Sequence, residues 1–291
     1  MRAQILGAGL VAPSPSSIDP FVLHRPSTLA EAVELFAEHP DATIVAGCTD
    51  LVAQLREGRS PTRVLSVRRL SELKDVTVDD HRLTLGAGLT HAEGAAHPYL
   101  RRALRPLAEA WSSIATVRIR YAGTLGGNLM ARRTRYEMPI LLASLGAALN
   151  FAAPSGADGS SRPVEWLWDG EGINGAGILE SVTIDTADLA WFGYERSMRP
   201  LTTVALALRV RGDGLVATAT IGSEQHRPVT VSAPAAEPEL ATSLAAGLPD
   251  SVADAAGSAD YRRHVTAVLV RRLMTRALSE LSEPPVEGEH R

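Results

Sequence analysis

Cysteine is the scarcest signal in this 291-residue chain, with Cys48 alone. A single thiol excludes an internal disulfide, a cysteine-ligated iron–sulfur cluster and a four-cysteine zinc site. The eight histidines are scattered, with no two a helical turn apart, so no metal site is expected either. Redox chemistry would then have to come from a bound organic cofactor, and a reducing cytoplasm is the expected compartment. Basic charge is also lacking. A net charge of −4 offers no electrostatic footprint for nucleic acid. No apolar run approaches the ~20 residues of a membrane-spanning helix, and the first residues lack the basic-then-apolar pattern of a signal peptide. What is present is ordinary for a soluble globular protein: 45% hydrophobic and 21% charged residues. The length suffices for a buried core without covalent staples.

Residues 1–20 hold Pro13, Pro15 and Pro20 among serines and read as a loose tail. Within them Gly7-Ala8-Gly9-Leu10-Val11-Ala12 fits the dinucleotide fingerprint in form. The fingerprint must open a helix, and Pro13-Ser14-Pro15 follows, so it is rejected. Residues 21–75 read as a helix–strand–turn–helix–strand unit. The first helix starts at Ser27 or Thr28; the strands are Thr43–Val45 and Val64–Val67; the second helix is expected over Asp50–Glu57, with Thr49 as cap and Gly58 as terminator.

Residues 76–185 open with a hairpin, Val76–Val78 and Arg82–Gly88 around Asp79-Asp80-His81, after which Thr90 can cap a helix. The apolar spacing of Leu100, Leu104, Leu107 and Trp111 predicts one helix over 97–117, and a second apolar helix is expected over Met138–Leu149. Pro154–Ser161 reads as a loop and Val182–Ile184 as a strand. Residues 186–283 carry a hairpin around Gly212-Asp213-Gly214, an Ala/Pro/Ser-rich stretch over 233–259 and a helix over Tyr261–Leu281. Residues 284–291 are expected to fray.

Two segments share one physical plan. Ala46-Gly47-Cys48-Thr49-Asp50 and Gly123-Thr124-Leu125-Gly126-Gly127-Asn128 each set small residues and a hydroxyl at a bend. Glycine lets backbone N–H groups approach an anion, since no Cβ intervenes. A helix N-terminus adds a favourable dipole. Two such turns, if they converge, could clamp a pyrophosphate, with Gly126 offering close backbone approach. Ordinary tight turns account for the same residues, and spacing alone does not choose.

The chain also resembles a known family. Ala46-Gly47-Cys48-Thr49-Asp50 is similar to Ala-Gly-Gly-Thr/His-Asp/Ser, and Thr124-Leu125-Gly126-Gly127-Asn128, preceded by Ile119-Arg120, to Thr-Ile-Gly-Gly-Asn/Asp. These are the two pyrophosphate turns of the flavin subunits of molybdenum hydroxylases, the carbon monoxide and xanthine dehydrogenase type. Leu85–Thr90, Tyr194-Glu195-Arg196, Tyr261–His264 and Val268–Arg272 extend the resemblance over roughly residues 21–281. It implies an α+β fold: a two-part FAD-binding domain of the vanillyl-alcohol-oxidase/PCMH type (21–75 and 76–185), then a C-terminal α+β domain with a three-stranded sheet and helices (186–283). It places FAD contacts at Ala46, Gly47, Cys48, Thr49, Asp50 and Leu51; at Gly86, Thr90 and Arg120; at Thr124, Gly126, Gly127 and Asn128; and at Glu137 and Arg196. No catalytic residue is assigned.

The departures point to altered surroundings of the flavin ring. Cys48 replaces a glycine. Arg132-Arg133-Thr134-Arg135 stands where small or acidic residues are usual, and Met198-Arg199-Pro200 where an aspartate is expected. The three arginines are read either as a solvated basic loop or as a binder of carboxylate or phosphate at the cofactor's rim. Cys48 is read as a small space-filler, His91 as a helix-end surface histidine, and Trp166, Trp168 and Trp191 as packing residues. The function implied is electron transfer through noncovalent FAD, alongside a molybdopterin large subunit and an iron–sulfur small subunit. A free-standing FAD-dependent oxidoreductase acting on a small, acidic or carrier-linked substrate is the alternative, and a non-catalytic interaction subunit the second.

Overall fold

A computed structural model describes residues 19–154, 159–169, 177–197, 201–224, 226–237 and 239–282. The rejected Gly7–Ala12 run, nearly all of the expected N-terminal tail, Ser155–Asp158, Met198–Pro200 and the C-terminal tail lie outside them. The first sheet is parallel, with spatial order β1 (Val22–His24), β3 (Arg63–Ser66), β2 (Thr43–Val45). Helix α1 (Leu29–Glu38) joins β1 to β2 and is capped by Thr28, whose hydroxyl accepts from the Glu31 N–H at 3.1 Å. Helix α2 (Thr49–Arg56) joins β2 to β3. Ala32, Val33, Leu65, Leu70 and Leu73 form the core of this unit, and Ile178, far along the chain, completes it.

The second sheet is antiparallel, in the order β4 (Val76–Asp79), β5 (Arg82–Gly86), β8 (Ile178–Asp185), β6 (Ala148–Ala152), β7 (Ser160–Pro163). Between β5 and β6 the chain inserts helices α3 (His91–Ala96), α4 (Pro98–Ala103), α5 (Arg105–Ser112), α6 (Val117–Arg120), α7 (Leu125–Met130) and α8 (Met138–Ser144). They bury Leu107, Trp111, Leu125, Leu129 and Leu141 against it. A short helix α9 (Trp166–Asp169) follows β7.

Two expectations fail in this region. The single helix expected over 97–117 is broken into α4, α5 and α6. Pro98 and Pro106 each lie in the first turn of a new helix, and Leu104 between them leaves helical geometry at φ −137°. Proline has no N–H to continue a preceding helix, which overrides the apolar periodicity. The helix expected to reach Leu149 stops at Ser144, because Gly146 turns at φ +61° and the chain enters β6 with alternating burial.

The C-terminal sheet is an antiparallel meander, β9 (Leu189–Arg196), β10 (Thr203–Arg211), β11 (Gly214–Gly222) and β12 (Val229–Pro234). Four strands therefore replace the three expected. The fourth, Val-Thr-Val-Ser-Ala-Pro, is short, borders the Ala/Pro/Ser-rich stretch and pairs with β11 along its length. On β10, Val204, Leu206 and Leu208 face α10 (Leu240–Ala246) and α11 (Ala259–Ser282), while Ala205 and Ala207 join the core of the second unit. The small residues let α8 approach: a Cβ on Gly222 would lie 2.0 Å from Ile140 Cδ1. Trp191 packs in the C-terminal core, and Trp166 and Trp168 flank that of the second unit, as packing residues should.

Candidate functional site

The first glycine turn runs from the end of β2 into α2. Its helix cap is Cys48 rather than Thr49, which is the first residue of the helix. Cys48 holds φ 59° and ψ 8°, a left-handed conformation disfavoured for a residue with a Cβ. No side chain caps α2, so its first-turn N–H groups and the positive end of its dipole are open to an anion. Burial pushes the Cys48 thiol up, which keeps it protonated and unreactive near neutrality.

This turn is pressed onto the segment leading into the second. A Cβ on Gly47 would lie 1.9 Å from the Ala122 carbonyl oxygen and 2.9 Å from Gly123 Cα. Only glycine permits such backbone contact. A Cβ on Gly123 would in turn lie 3.4 Å from Thr49 Oγ1 and 3.3 Å from His91 Cδ2. The two turns and His91 thus meet at one place.

The second turn is tied internally. The Thr124 hydroxyl caps α7 by accepting from the Gly127 N–H at 3.1 Å. The Leu125 N–H donates to Leu89 O at 2.8 Å, the Gly126 N–H to Ala87 O at 2.7 Å, and the His91 N–H to Gly123 O at 3.0 Å. Thr90 pairs with Thr124 in an isolated bridge and also forms a capping box with Glu93 at the start of α3. The expected open approach at Gly126 is therefore filled by protein, since a Cβ there would meet Ala87 Cβ at 2.9 Å. What this turn leaves over is Asn128, whose buried Oδ1 has no partner among the described residues.

His91 is not a surface residue. It is 2% exposed, and its Nδ1 accepts from the indole N–H of the fully buried Trp111 at 2.7 Å. Burial, with the nearby Arg120 guanidinium, pulls its pKa down to about 4. It is therefore neutral, with its proton on Nε2. Arg120 itself clasps the chain just before α6, donating to Ile114 O at 3.0 Å and Ala115 O at 2.8 Å. Ala115 there has positive φ, 53°, so the guanidinium holds a loop that would not hold itself. The sequence signal for this pair, a histidine after a cap and a tryptophan twenty residues on, is too weak to read without coordinates.

Residues 131–137 join all three sheet units. Arg133 Nε donates to Asp50 Oδ1 at 3.2 Å and Tyr136 Oη to the same oxygen at 3.4 Å, reaching α2. The Gln54 amide donates to the other oxygen of Asp50. Arg132, at φ 51°, donates to Leu167 O at 2.5 Å in the second unit. The Thr134 hydroxyl donates to Glu224 O at 2.7 Å in the C-terminal unit. Glu137, 8% exposed, accepts from the Tyr194 hydroxyl and from Arg196 Nη1 at 2.9 Å. Burial and the Glu137 charge push the Tyr194 phenol far up, so it remains a donor.

Of the residues expected at the site, Gly47, Thr49, Thr90 and Thr124 are brought together where the turns meet. Ala46, Cys48, Asp50 and Leu51 continue the first turn into α2, and Gly126, Gly127 and Asn128 continue the second into α7. Glu137 and Arg196 form a separate ion pair toward the C-terminal sheet. Gly86 does not join them: it is buried within β5, where a Cβ would lie 2.3 Å from Leu73 O. An uncapped helix start beside a backbone seam that excludes any Cβ suits the phosphates of a dinucleotide, and the orphaned Asn128 Oδ1 leaves an acceptor for a donor elsewhere on it.

Residues 18–184 match the family described as the FAD binding domain in molybdopterin dehydrogenase. The chain is 27% identical over 277 residues to the carbon monoxide dehydrogenase medium chain of Afipia carboxidovorans, covering 88% of this chain and 96% of that one. It is 35% identical over 127 residues to the caffeine dehydrogenase subunit beta of a Pseudomonas species, covering 43% of each. Several matches of this second kind span only about half of the relative's length. A solved Cu,Mo-CO dehydrogenase chain superposes with a TM-score of 0.77 at 23% identity, covering 90% of this chain and 99% of that chain, a likeness of fold. On the family match over more than half its length, the chain belongs to the FAD-binding domains of molybdopterin dehydrogenases.

Proposed function

We propose that this protein is the flavin-carrying, electron-transferring subunit of a molybdopterin-dependent dehydrogenase, with a molybdopterin large subunit and an iron–sulfur small subunit as partners. The observation that carries the reading is the first turn: α2 begins without a capping side chain, and its turn is pressed against the segment entering the second turn. FAD bound there would supply a two-electron carrier between a donor and an acceptor. The open N–H groups at Thr49 and Asp50 hold the pyrophosphate, and the unpartnered Oδ1 of Asn128 is an acceptor for an N–H or O–H of the cofactor, not for its phosphates. Arg133 and Tyr136 hydrogen-bond the Asp50 carboxylate, and the Arg133 charge offsets its repulsion of the incoming anion. The Glu137–Arg196–Tyr194 cluster fixes β9 against the start of α8, and we assign it to the flavin-ring end of the cleft. The one-cysteine chain relays no electrons through clusters of its own.

We further propose functional units at 21–75, 76–185 and 186–283, because each of the three sheets falls within one of these ranges. Cofactor released from the purified chain and identified by chromatography tests the first part of the reading. FAD near one per chain is expected, and FMN or no flavin would overturn it. Co-purification from the native host tests the second part, since a flavin-loaded chain that purifies with neither a partner subunit nor molybdenum would assign it to a free-standing enzyme.

A further inference from the structure

Outside the cradle, an open groove of about 630 Å³ lies between α3, α5 and α6. Its floor is Ala92, Ala95, Ala96 and Ala108, and its rim carries Arg101, Arg105 and Tyr121. The floor is smooth because α3 presents small residues on that side, while Gly94 seats the helix directly on Trp111. In and beside the groove, Val117 and Ile119 of α6 are exposed at 58% and 40% and Tyr121, its C-cap, at 73%. Large apolar residues clustered on one short helix mark an interaction surface rather than scattered exposure. The charge is one-sided as well. Residues 101–121 hold five arginines against Glu109 alone, with Glu280 of α11 the further carboxylate that Arg105 feels, in a chain of net charge −4.

We propose that this groove docks an acidic amphipathic helix of a partner polypeptide. Three observations favour a polypeptide over a small molecule. Arg101, Arg105 and Glu109 in the lining are exposed and Arg120 is already held by Ile114 O and Ala115 O, whereas a ligand pocket converges a few free polar groups on its occupant. The alanine floor suits the apolar ridge of a helix laid in a groove. Arginine and tyrosine are the residues most enriched where proteins meet. Arg105 already pairs with Glu109, but Arg101 has no partner among the described residues, so the rim keeps a free guanidinium for an incoming carboxylate. The groove shares Arg120 and Tyr121 with the segment that forms the wall of the cofactor cradle. A partner seated there would touch the outer side of that wall. The proposal deepens the multi-subunit reading and rests on it for which polypeptide is bound.

The test uses the FAD-loaded full chain and a labelled helical peptide of leucine on one face and glutamate on the other. The same peptide with glutamine for glutamate is the control. Fluorescence anisotropy should show the glutamate peptide binding at least about tenfold more tightly than the control, with the difference shrinking at high salt. Arg101→Glu with Arg105→Glu should weaken it by about tenfold or more, and Tyr121→Ser should weaken both peptides, all with unchanged flavin content. Equal binding of the two peptides, or binding of neither, would overturn the proposal. So would concentration-dependent self-association of the parent that Tyr121→Ser abolishes, which would give the groove to a second copy of this chain. Loss of flavin from the parent protein would instead count against the cofactor reading, since the peptide measurement does not depend on it.

Discussion

The first glycine turn enters α2 through Cys48 in a left-handed conformation with no capping side chain, whereas the second enters α7 through Thr124, whose hydroxyl is taken by the Gly127 N–H. One turn leaves its donors open; the other bonds its Leu125 and Gly126 N–H groups to the β5–α3 connection and its Gly127 and Asn128 N–H groups to Thr124. Similar glycine-rich spelling thus serves two ends. At the first turn, glycine permits contact between backbones and leaves a helix terminus free for an anion. At the second, it permits a short chain segment to be locked in place as the wall against which the first turn rests.

The largest expected effect breaks the seam between them. Gly47→Ala would drive a Cβ into the Ala122 carbonyl, backbone against backbone, with no flexible side chain to yield. We expect a loss of about 3 kcal/mol or more in stability together with loss of FAD. Thermal denaturation and flavin content read both, and a stable, fully loaded variant would mean that the turns do not need to touch.

Next comes the wedge between the turns. His91 is held neutral with its pKa near 4, below the ordinary 6.5. As pH falls through 6.5 the unfolded chain takes up a proton that the folded chain refuses. The stability due to this group is thus complete above about 6.5, declines toward 4 and is flat below, a loss of roughly 3 kcal/mol at most. A protonated Nδ1 could no longer accept from Trp111. Denaturant titrations across this window should show a shallower acid-side loss in His91→Gln, whose amide oxygen can still accept; identical slopes would show that the histidine is not what makes the junction acid-sensitive.

Smaller changes sharpen the contrast. Thr124→Ala removes the α7 cap and should cost about 1 kcal/mol, while FAD affinity changes little because the open donors that face the anion are those of the first turn. A collapse of affinity in a folded variant would instead put Thr124 in contact with the cofactor. Smallest is Cys48→Gly, which relieves a left-handed residue and should raise stability by about 1 kcal/mol with flavin retained. Destabilisation, or flavin loss, would give the thiol a specific role.

The elements legible in the sequence were those whose signals are local. The Thr28 and Thr90 caps, the hairpin around Gly212 and the long C-terminal helix follow from residue type and spacing, and both glycine turns are where their spelling puts them. Misreadings arose where a neighbour decided the outcome. Hydroxyl preference pointed to Thr49 as cap, but the close approach of Ala122 forces the chain to turn one residue earlier, at Cys48. Apolar spacing over 97–117 hid two prolines that restart the helix. Arg132, Arg133 and Arg135 read from sequence either as a solvated basic loop or as a binder of carboxylate or phosphate. Arg132 and Arg133 instead reach Leu167 O and Asp50, contacts that no local pattern announces.

The dependence of the N-terminal unit on distant chain has a consequence for synthesis. Its sheet emerges from the ribosome before the second sheet, yet Ile178 is needed to close its core, and Asp50 waits for Arg133, 83 residues downstream. A nascent chain ending before β8 therefore exposes the apolar surface around Leu65, Leu70 and Leu73. Domain-by-domain maturation, the usual relief for long chains, is closed to the first two units. They must finish folding together, after the second sheet receives β8, and translational pausing before residue 178 is where aggregation should concentrate.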